Sequence, residues 1–330
     1  MARPDPTQAR FPAAAPKAGH YESIYLKACH PAQPLGVWIR YTVHKRPGAE
    51  PTGSLWFTLF DAGSDGPYAV KQTWPRPAAG GGRWLSVGEA AIGPGQASGS
   101  AVAEGRQVSW ELRFEAPERP LFHLPGGWMY GAPVPRTKLL SPAPAARFDG
   151  RLNAGGRDVE LSGWRGMIGH NWGSQHAERW IWLHGLGFDG ASEAGWLDAA
   201  LGRVKLGPLT TPWIANGALS LGGERFPLGG PGRKLEVDER PEACHFLLAG
   251  KGIRVRGSVS APKERFVGWV YADPDGSEHN TLNCSIADMR LDVERDGGPA
   301  LALSLTGAAA YELGMRERDH GVELQPFPDG

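Results

Sequence analysis

The chain has 330 residues, 41% of them hydrophobic, and its 35 basic and 35 acidic residues cancel to a formal net charge of zero. A balanced charge without a run of Lys or Arg excludes an electrostatic argument for nucleic acid or an anionic membrane as a partner. The length favours two domains, each large enough to bury a core.

The cysteines and the N-terminus bear on the cellular compartment. Cys29, Cys244 and Cys284 lie far apart and outside any CxxC pair, so they provide no disulfide framework. The N-terminus lacks the apolar core of a signal peptide, and no apolar run is long enough for a transmembrane helix. We therefore expect a soluble protein of the cytoplasm, with peripheral membrane attachment and the oligomeric state left open.

Short predicted strands fill the first third of the chain. Residues 1–20 are rich in Pro and Ala without periodicity, which predicts a flexible N-terminal arm. Apolar and polar residues then alternate in short runs that Gly- and Pro-rich turns separate. The predicted strands here are Tyr21–Ala28, Leu35–His44, Ser54–Phe60, Tyr68–Trp74 and Val108–Glu115.

A proline-rich stretch with little periodicity covers residues 116–145. Long irregular connections within compact domains are usually functional or disordered. Because this one carries Phe122, His123, Trp128 and Tyr130, we expect it to cover a site as a lid.

The stretch richest in aromatic and imidazole side chains is Gly163–Phe188, which holds four of the 13 tryptophans and three of the ten histidines. Its second half places Trp180, Trp182 and His184 at every second position, which is the period of a strand. Two indoles and an imidazole on one face of a sheet predict the wall of a cavity.

The rest of the chain continues as short strands, and no segment of eleven residues has a convincing helical period. The segment 190–202 is the best helix candidate because of its alanines, but its alternation favours a strand. Many short strands with turn residues between them are typical of sandwiches and barrels. We predict an all-β protein of two tandem antiparallel barrels, at residues 21–205 and 206–330.

Several motifs are better explained by turns than by ligands. The GxGxxG match at 185–190 has no following helix and no parallel βαβ unit, so a glycine-rich turn explains it. The spacing of His170, His176 and His184 fits no standard metal site. The run Asp273-Pro-Asp-Gly is typical of a type I turn. We therefore expect no metal and no cofactor.

Asp198 lies in the middle of the predicted strand 195–202, with apolar neighbours on both sides. A carboxyl in such a place is either paired with a cation, for which Arg165 and Arg179 are candidates, or kept neutral by desolvation, which raises its pKa. The sequence leaves both alternatives open. A neutral carboxyl beside Trp196 could protonate an alkene, and indole faces stabilise the cation that results.

Three runs of the chain resemble one known family. They are PRTKLLSPAPAARFDGRL at 135–152, GRDVELSGWRGMIGHNWG at 156–173 and WIWLHGLGFDG at 180–190. The family is the two-domain lipocalin-like family of bacterial carotenoid 1,2-hydratases (hydroxyneurosporene synthases) with the related AttH-like proteins. Its H-x-W element matches His170 and Trp172. Its aromatic-x-Asp element matches Trp196 and Asp198, where the hydratases carry Tyr in place of Trp.

The resemblance implies two lipocalin-like barrels and a cofactor-independent, acid-catalysed hydratase (a hydro-lyase) or cyclase that acts on an isoprenoid or similar hydrophobic alkene. Asp198 is then the proton donor, and His170 orients it or holds the attacking water. The expected substrate contacts are Arg165, Asn171, Trp172, Trp180, Trp182, His184 and Trp196. Two alternatives stay open: a non-catalytic binder of hydrophobic small molecules, and a pericyclase that only shapes its substrate.

Overall fold

The computed structural model describes residues 3–191 and 195–327, and their regular structure is almost entirely antiparallel β-sheet. Three short 3-10 helices lie at Phe11–Ala13, Gly127–Tyr130 and Lys263–Arg265. None of the helices in the described ranges has the length and hydropathy that crossing a bilayer requires. The predicted all-β fold is confirmed, since the strands form a half-barrel and a nearly closed barrel.

The first sheet contains twelve strands. They are β1 (His20–Cys29), β2 (Leu35–Lys45), β3 (Thr52–Asp61), β4 (Tyr68–Pro75), β5 (Ala78–Gly80), β6 (Arg83–Val87), β7 (Ala90–Gly93), β8 (Gln96–Ala103), β9 (Arg106–Glu115), β10 (Leu121–Phe122), β11 (Thr137–Ala154) and β12 (Arg157–Gly173). Their order is β4-β3-β2-β1-β12-β11-β9-β8-β7-β6-β5, with β10 paired to β11. Because β1 pairs with β12, the first and last strands lie side by side in the middle of the sheet.

The second sheet contains ten strands. They are β13 (Arg179–Leu186), β14 (Trp196–Arg203), β17 (Ile214–Leu221), β18 (Glu224–Gly229), β19 (Leu235–Arg240), β20 (Ala243–Ala249), β21 (Ile253–Ser260), β22 (Val267–Ala272), β23 (Glu278–Arg295) and β24 (Leu301–Met315). Their order is β18-β17-β14-β13-β24-β23-β21-β20-β19, with β22 paired to β23. A separate hairpin joins β15 (Lys205–Leu206) to β16 (Leu209–Thr210).

β11 overlaps the stretch predicted as an irregular connection at 116–145. Its register against β12 shifts twice between Leu140 and Ala146. Pro142 and Pro144 fall within these shifts, because a proline has no N–H to donate to the ladder and is tolerated at bulges. The same prolines made this part of the strand look irregular in the sequence.

The chain passes from the first sheet to the second between Gly173 and Arg179. The boundary expected near residue 205 lies two strands further on, because β13 and β14 pair with β24 and β17 of the second sheet. Pairing between strands so far apart in the chain leaves no local pattern. Nothing in the local pattern therefore indicates that Gly163–Phe188 ends one sheet and begins the next.

The two sheets share a core. Trp56 on β3 packs edge-on against Trp269 and Tyr271 on β22, with ring centroids 5.0 Å and 5.4 Å apart. Trp38 and Phe60 of the first sheet belong to the same buried cluster as the apolar residues of the second sheet. Close packing of large rings across this contact fixes the position of one sheet against the other.

Residues 3–19, which belong to the segment expected to be a flexible arm, lie against the first sheet. The carboxylate of Glu22 on β1 accepts the backbone N–H groups of Arg10 and Phe11, both at 2.7 Å. The Phe11 side chain is buried. These contacts give the segment a defined path.

Glu22 is buried together with His170 on β12. Nε2 of His170 lies 2.8 Å from the carboxylate, and Nδ1 lies 2.8 Å from the carbonyl oxygen of Pro6. Burial acts to raise the pKa of Glu22, but hydrogen bonds from His170 and His20 outweigh it and lower the pKa to about 2. The pair therefore ties the N-terminal segment to the sheet through a carboxylate that stays ionised.

The lowered pKa of Glu22 predicts acid sensitivity. Its stabilising contribution is complete above the unfolded-state pKa of 4.5 and is lost as the pH falls toward about 2. We expect protonation of Glu22 to lower the free energy of unfolding by on the order of 3 kcal/mol across that range. Glu22→Gln should be less stable at pH 7 and lose less on acidification, as measured by urea unfolding at several pH values. Glu111→Gln, at an exposed side chain, is the control; equal acid slopes for Glu22→Gln and the unmodified protein would contradict the assignment.

Candidate functional site

A cavity of about 1060 Å³ lies between the two sheets. Residues of both sheets line it, and so does much of the segment 124–139, within the stretch expected to form a lid. Most of its wall is apolar, with the rings of Tyr25, Trp38, Trp128, Trp180, Trp182 and Trp213.

One cluster of polar side chains in the wall, which we call the polar end, consists of Tyr21, Arg40, His176, Tyr271 and Glu312. The members contact one another directly or through the Trp180 ring, which lies against His176 and Tyr271. The cavity therefore offers an amphipathic ligand one polar end and otherwise apolar walls.

Glu312 on β24 receives three hydrogen-bond donors. Trp180 Nε1 donates to Oε1 at 2.9 Å, while Asn283 Nδ2 and the Tyr271 hydroxyl donate to Oε2 at 2.9 Å and 3.4 Å. The Arg40 guanidinium stacks on the Tyr271 ring, 4.1 Å from its centroid. The polar end thus holds a satisfied carboxylate and a guanidinium in an otherwise apolar wall.

His176, in the connection between β12 and β13, is fixed on two sides. Its Nδ1 and its backbone N–H both lie 2.7 Å from Oδ1 of Asp273, and its ring stacks on Tyr21 with centroids 4.0 Å apart. Nε2 is buried and has no hydrogen-bond partner within the described ranges. One ring nitrogen is therefore tied to a carboxylate while the other can take a partner.

Asp273 follows β22 and begins the predicted type I turn, in which the Gly276 N–H donates to the Asp273 carbonyl at 2.8 Å. Burial acts to raise the pKa of Asp273, but hydrogen bonds and charge from His176 outweigh it and lower the pKa. His279 on β23 has its Nδ1 3.9 Å from Oδ2 of Asp273. Burial, with the charges of His176 and Arg316, lowers the pKa of His279 to about 4, so this imidazole is neutral at pH 7.

Asp198 on β14 is fully buried behind Trp182, whose Nε1 donates to Oδ1 at 3.2 Å. The Ser141 hydroxyl donates to Oδ2 at 2.5 Å, and Nε2 of His123 lies 3.5 Å from the same oxygen. Nδ1 of His123 lies 3.1 Å from the carbonyl oxygen of Asn216. Both nitrogens of His123 thus face acceptors, which suits an imidazolium.

The pKa of Asp198 corrects the alternative of a neutral acid. Burial acts to raise it, but the charge and hydrogen bond of His123, with smaller effects of His184 and Ser141, lower it overall. The pKa of His123 is lowered by burial and raised by Asp198, with a net rise. Asp198 and His123 therefore form a buried ion pair, so of the two alternatives that the sequence left open the paired carboxylate is correct and the neutral acid with a raised pKa is wrong.

The two arginines considered as partners of Asp198 have other neighbours. Arg179 pairs with Glu239 and Glu317 at 2.8 Å each. The guanidinium of Arg165 lies so close to Gly187 that a Cβ there would be 2.4 Å from it. The prediction of a cationic partner for Asp198 was right, but the cation is His123 and not an arginine. His123 was not considered because it lies in the stretch expected to be a lid.

The H-x-W element points toward the N-terminal segment. His170 and Trp172 share one face of β12, and Asn171 between them lies on the other face. Asn171 lines the cavity. His170 contacts Glu22, and the Trp172 ring lies under the guanidinium of Arg10, 5.0 Å from its centroid.

The other expected substrate contacts divide in two. Trp180 and Trp182 line the cavity. Nε2 of His184 contacts a backbone carbonyl of β11 at 3.0 Å. Trp196 is fully buried, with the Arg225 guanidinium 5.0 Å from its ring centroid. The period-two pattern thus identified two side chains of the cavity wall, Trp180 and Trp182. It wrongly extended the wall to His184, further along the same strand.

The polar residues in or beside the cavity wall that were not anticipated include Arg40, Asp273, His279 and Glu312. A signal existed for Arg40 and Glu312, since each is a charged residue inside an apolar strand, the same feature that drew attention to Asp198. Asp273 gave only a turn signal, and His279 gave none.

Comparison with known proteins supports the fold. No family model matches the chain. An uncharacterized protein of Mycobacterium tuberculosis, found in strains CDC 1551 and H37Rv, is 27% identical over 305 residues, which cover 91% of this chain and 87% of the relative.

Three solved structures share the architecture. An AttH-like protein of Nitrosomonas europaea has a TM-score of 0.55 and 15% identity, covering 96% of this chain and 100% of its own. Kievitone hydratase of Nectria haematococca has a TM-score of 0.56 and 10% identity, covering 91% and 89%. CghA, solved with Sch210972, has a TM-score of 0.52 and 12% identity, covering 96% of each chain. The chain thus shares with these three proteins a lipocalin-like fold, here a half-barrel and a nearly closed barrel.

The buried ion pair predicts a large effect of neutralising Asp198. Asp198→Asn breaks the buried ion pair and removes the group that keeps His123 protonated, so we expect the free energy of unfolding to fall by roughly 3–5 kcal/mol at pH 7. Urea unfolding measures this, with Asp292→Asn, at an exposed position of β23, as the matched control. A change no larger than that of the control would show that the pair contributes nothing.

Proposed function

We propose that the protein is a hydratase or cyclase that acts on a hydrophobic alkene, isoprenoid in class, held in the cavity between the two sheets. The observation that carries this proposal is the combination of aromatic walls with a polar end in which one ring nitrogen of His176 has no hydrogen-bond partner among the residues that the structure describes. Hydration and cyclisation of an alkene need both features, a wall that tolerates a carbocation and groups that manage a proton.

The size of the cavity suits a substrate of this class. Small-molecule sites are typically about 300–1,000 Å³, and this cavity of about 1060 Å³ lies at the upper end. The cavity has room for a long isoprenoid chain, and the hydrocarbon part of such a chain matches the apolar rings of the wall.

Two tryptophans are arranged to stabilise a cation. Trp180 donates its indole N–H to Glu312, and Trp182 donates its indole N–H to Asp198. A hydrogen bond to an anion fixes the ring plane and polarises the ring toward its faces, which strengthens the attraction between an indole face and a positive charge. Asp198 accordingly acts through Trp182 in this proposal, as a positioning residue and not as the acid.

Proton transfer takes place at the polar end. Asp273 holds Nδ1 of His176, so Nε2 is the atom with capacity to exchange a proton or bind a water molecule. Asn171 and Tyr21 line the same cavity and can orient an oxygen nucleophile. His170, with both nitrogens engaged by the N-terminal segment and Glu22, supports the fold instead of the chemistry.

The test is turnover in heavy water with a panel of acyclic isoprenoid alkenes, from monoterpenoid to tetraterpenoid, with products examined by mass spectrometry. We expect a product that carries one carbon-bound deuterium from solvent, together with the mass of one added water for hydration. His176→Gln should slow turnover at least ~100-fold, while His245→Gln, at an exposed position of β20, should not.

Two results would contradict the proposal. A product without solvent deuterium would indicate a pericyclase, which needs no proton transfer. Saturable binding of the alkenes, seen as quenching of tryptophan fluorescence, with no conversion by the unmodified protein would indicate a binder.

A further inference from the structure

Three potential metal ligands meet beside the cavity: His176, Asp273 and His279. One donor atom of each lies within 4.8 Å of the donor atoms of the other two. Nδ1 of His176 is 2.7 Å from Oδ1 of Asp273, and Nδ1 of His279 is 3.9 Å from Oδ2. We propose that this cluster binds a divalent metal ion of the zinc type, with its open coordination position toward the polar end of the cavity.

The side chain of His279 is an independent indication of a ligand. It is fully buried, and neither of its ring nitrogens has a hydrogen-bond partner within the described ranges. Buried polar groups are nearly always paired, so an exception needs an explanation such as an ion. The imidazole stands edge-on to Trp180, with centroids 5.2 Å apart, which holds its plane in place.

Neighbouring groups orient the carboxylate of Asp273 in the way that metal ligands are oriented. The backbone N–H of His176 donates to Oδ1 at 2.7 Å, and the Ser277 hydroxyl donates to Oδ2 at 3.2 Å. Such contacts fix the direction of a ligating carboxylate and still leave lone pairs for an ion. The turn that begins at Asp273 thus presents the carboxylate to both imidazoles.

The donor set selects the kind of ion. Two imidazoles and one carboxylate with an open position are typical of catalytic zinc and of ferrous iron. The proposed addition or ring closure transfers no electrons, so redox-inert zinc fits it better. Donors around a tetrahedral zinc lie roughly 3.4 Å apart at bonds of about 2.1 Å. The donor atoms lie within 4.8 Å of one another, so small rotations of the side chains bring them to that spacing. The proton that His176 shares with Asp273 leaves when the ion binds.

The role of the ion rests on the proposed function, whereas the site itself rests on the geometry. A zinc ion lowers the pKa of a water molecule in its open position. Such a water, held beside the alkene, supplies the hydroxyl group for one carbon and the proton for the other. This inference replaces the expectation of no metal, which was drawn from the spacing of His170, His176 and His184.

Metal binding can be measured without any substrate. Protein freed of metal with a chelator is titrated with Zn²⁺ in competition with a chromophoric chelator, and with Co²⁺ to record the ligand-field spectrum. We expect one ion per chain. His279→Gln and His176→Gln should each weaken binding at least ~100-fold, and His245→Gln should bind as the unmodified protein does.

A measurement on the unmodified protein covers the case in which a variant does not fold. X-ray absorption of the zinc-loaded protein should show two imidazole nitrogens and no sulfur around the ion. No binding, binding that His279→Gln leaves unchanged, or a first shell with sulfur overturns the proposal. Because these experiments use no alkene, their failure leaves the turnover test of the proposed function unaffected.

Discussion

Carboxylates buried inside the two sheets set the conditions that the rest of the structure has to meet. Glu22, Asp198, Asp273 and Glu312 are all buried, and an unpaired charge in such a place costs several kcal/mol. Each therefore accepts hydrogen bonds from other elements. Glu22 is contacted by β12 and the N-terminal segment, and Asp198 by β11 and β13. Asp273 is contacted by the β12–β13 connection, and Glu312 by β13 and β23. Satisfying the four charges fixes the segments that surround the cavity.

The same requirement decides how the cavity wall is oriented. Trp180 and Trp182 alternate correctly to share one face of β13, yet that alternation leaves the rotation of each ring undetermined. The carboxylates of Glu312 and Asp198 determine it, because an indole has only one N–H to donate. The negative charges of Glu312 and Asp198 therefore govern which way the two indole faces point. The binding properties of an apolar wall depend here on the polar groups that contact its rings.

How far the sequence could predict this arrangement depends on whether a feature is local. The strand predicted at Val108–Glu115 appears as β9, with buried and exposed positions in alternation, because one of its faces meets solvent. The wall residues Trp180 and Trp182 were identified for the same local reason. Asp273 lies 97 residues from His176, and only the register of the second sheet brings them together. The ion pair of Asp198 was equally out of reach, since its cation comes from a proline-rich stretch without periodicity.

The position of His176 in the chain has a consequence for how the molecule can be divided. The residue sits in the short connection by which the chain leaves the first sheet, stacks on Tyr21 of that sheet, and is held by Asp273 of the second. The contacts that hold His176 therefore come from both barrels. Exchange of one barrel for that of a relative would put the fusion point into the middle of the site, so the two halves have to be engineered as a unit, unlike most tandem domains joined by a linker.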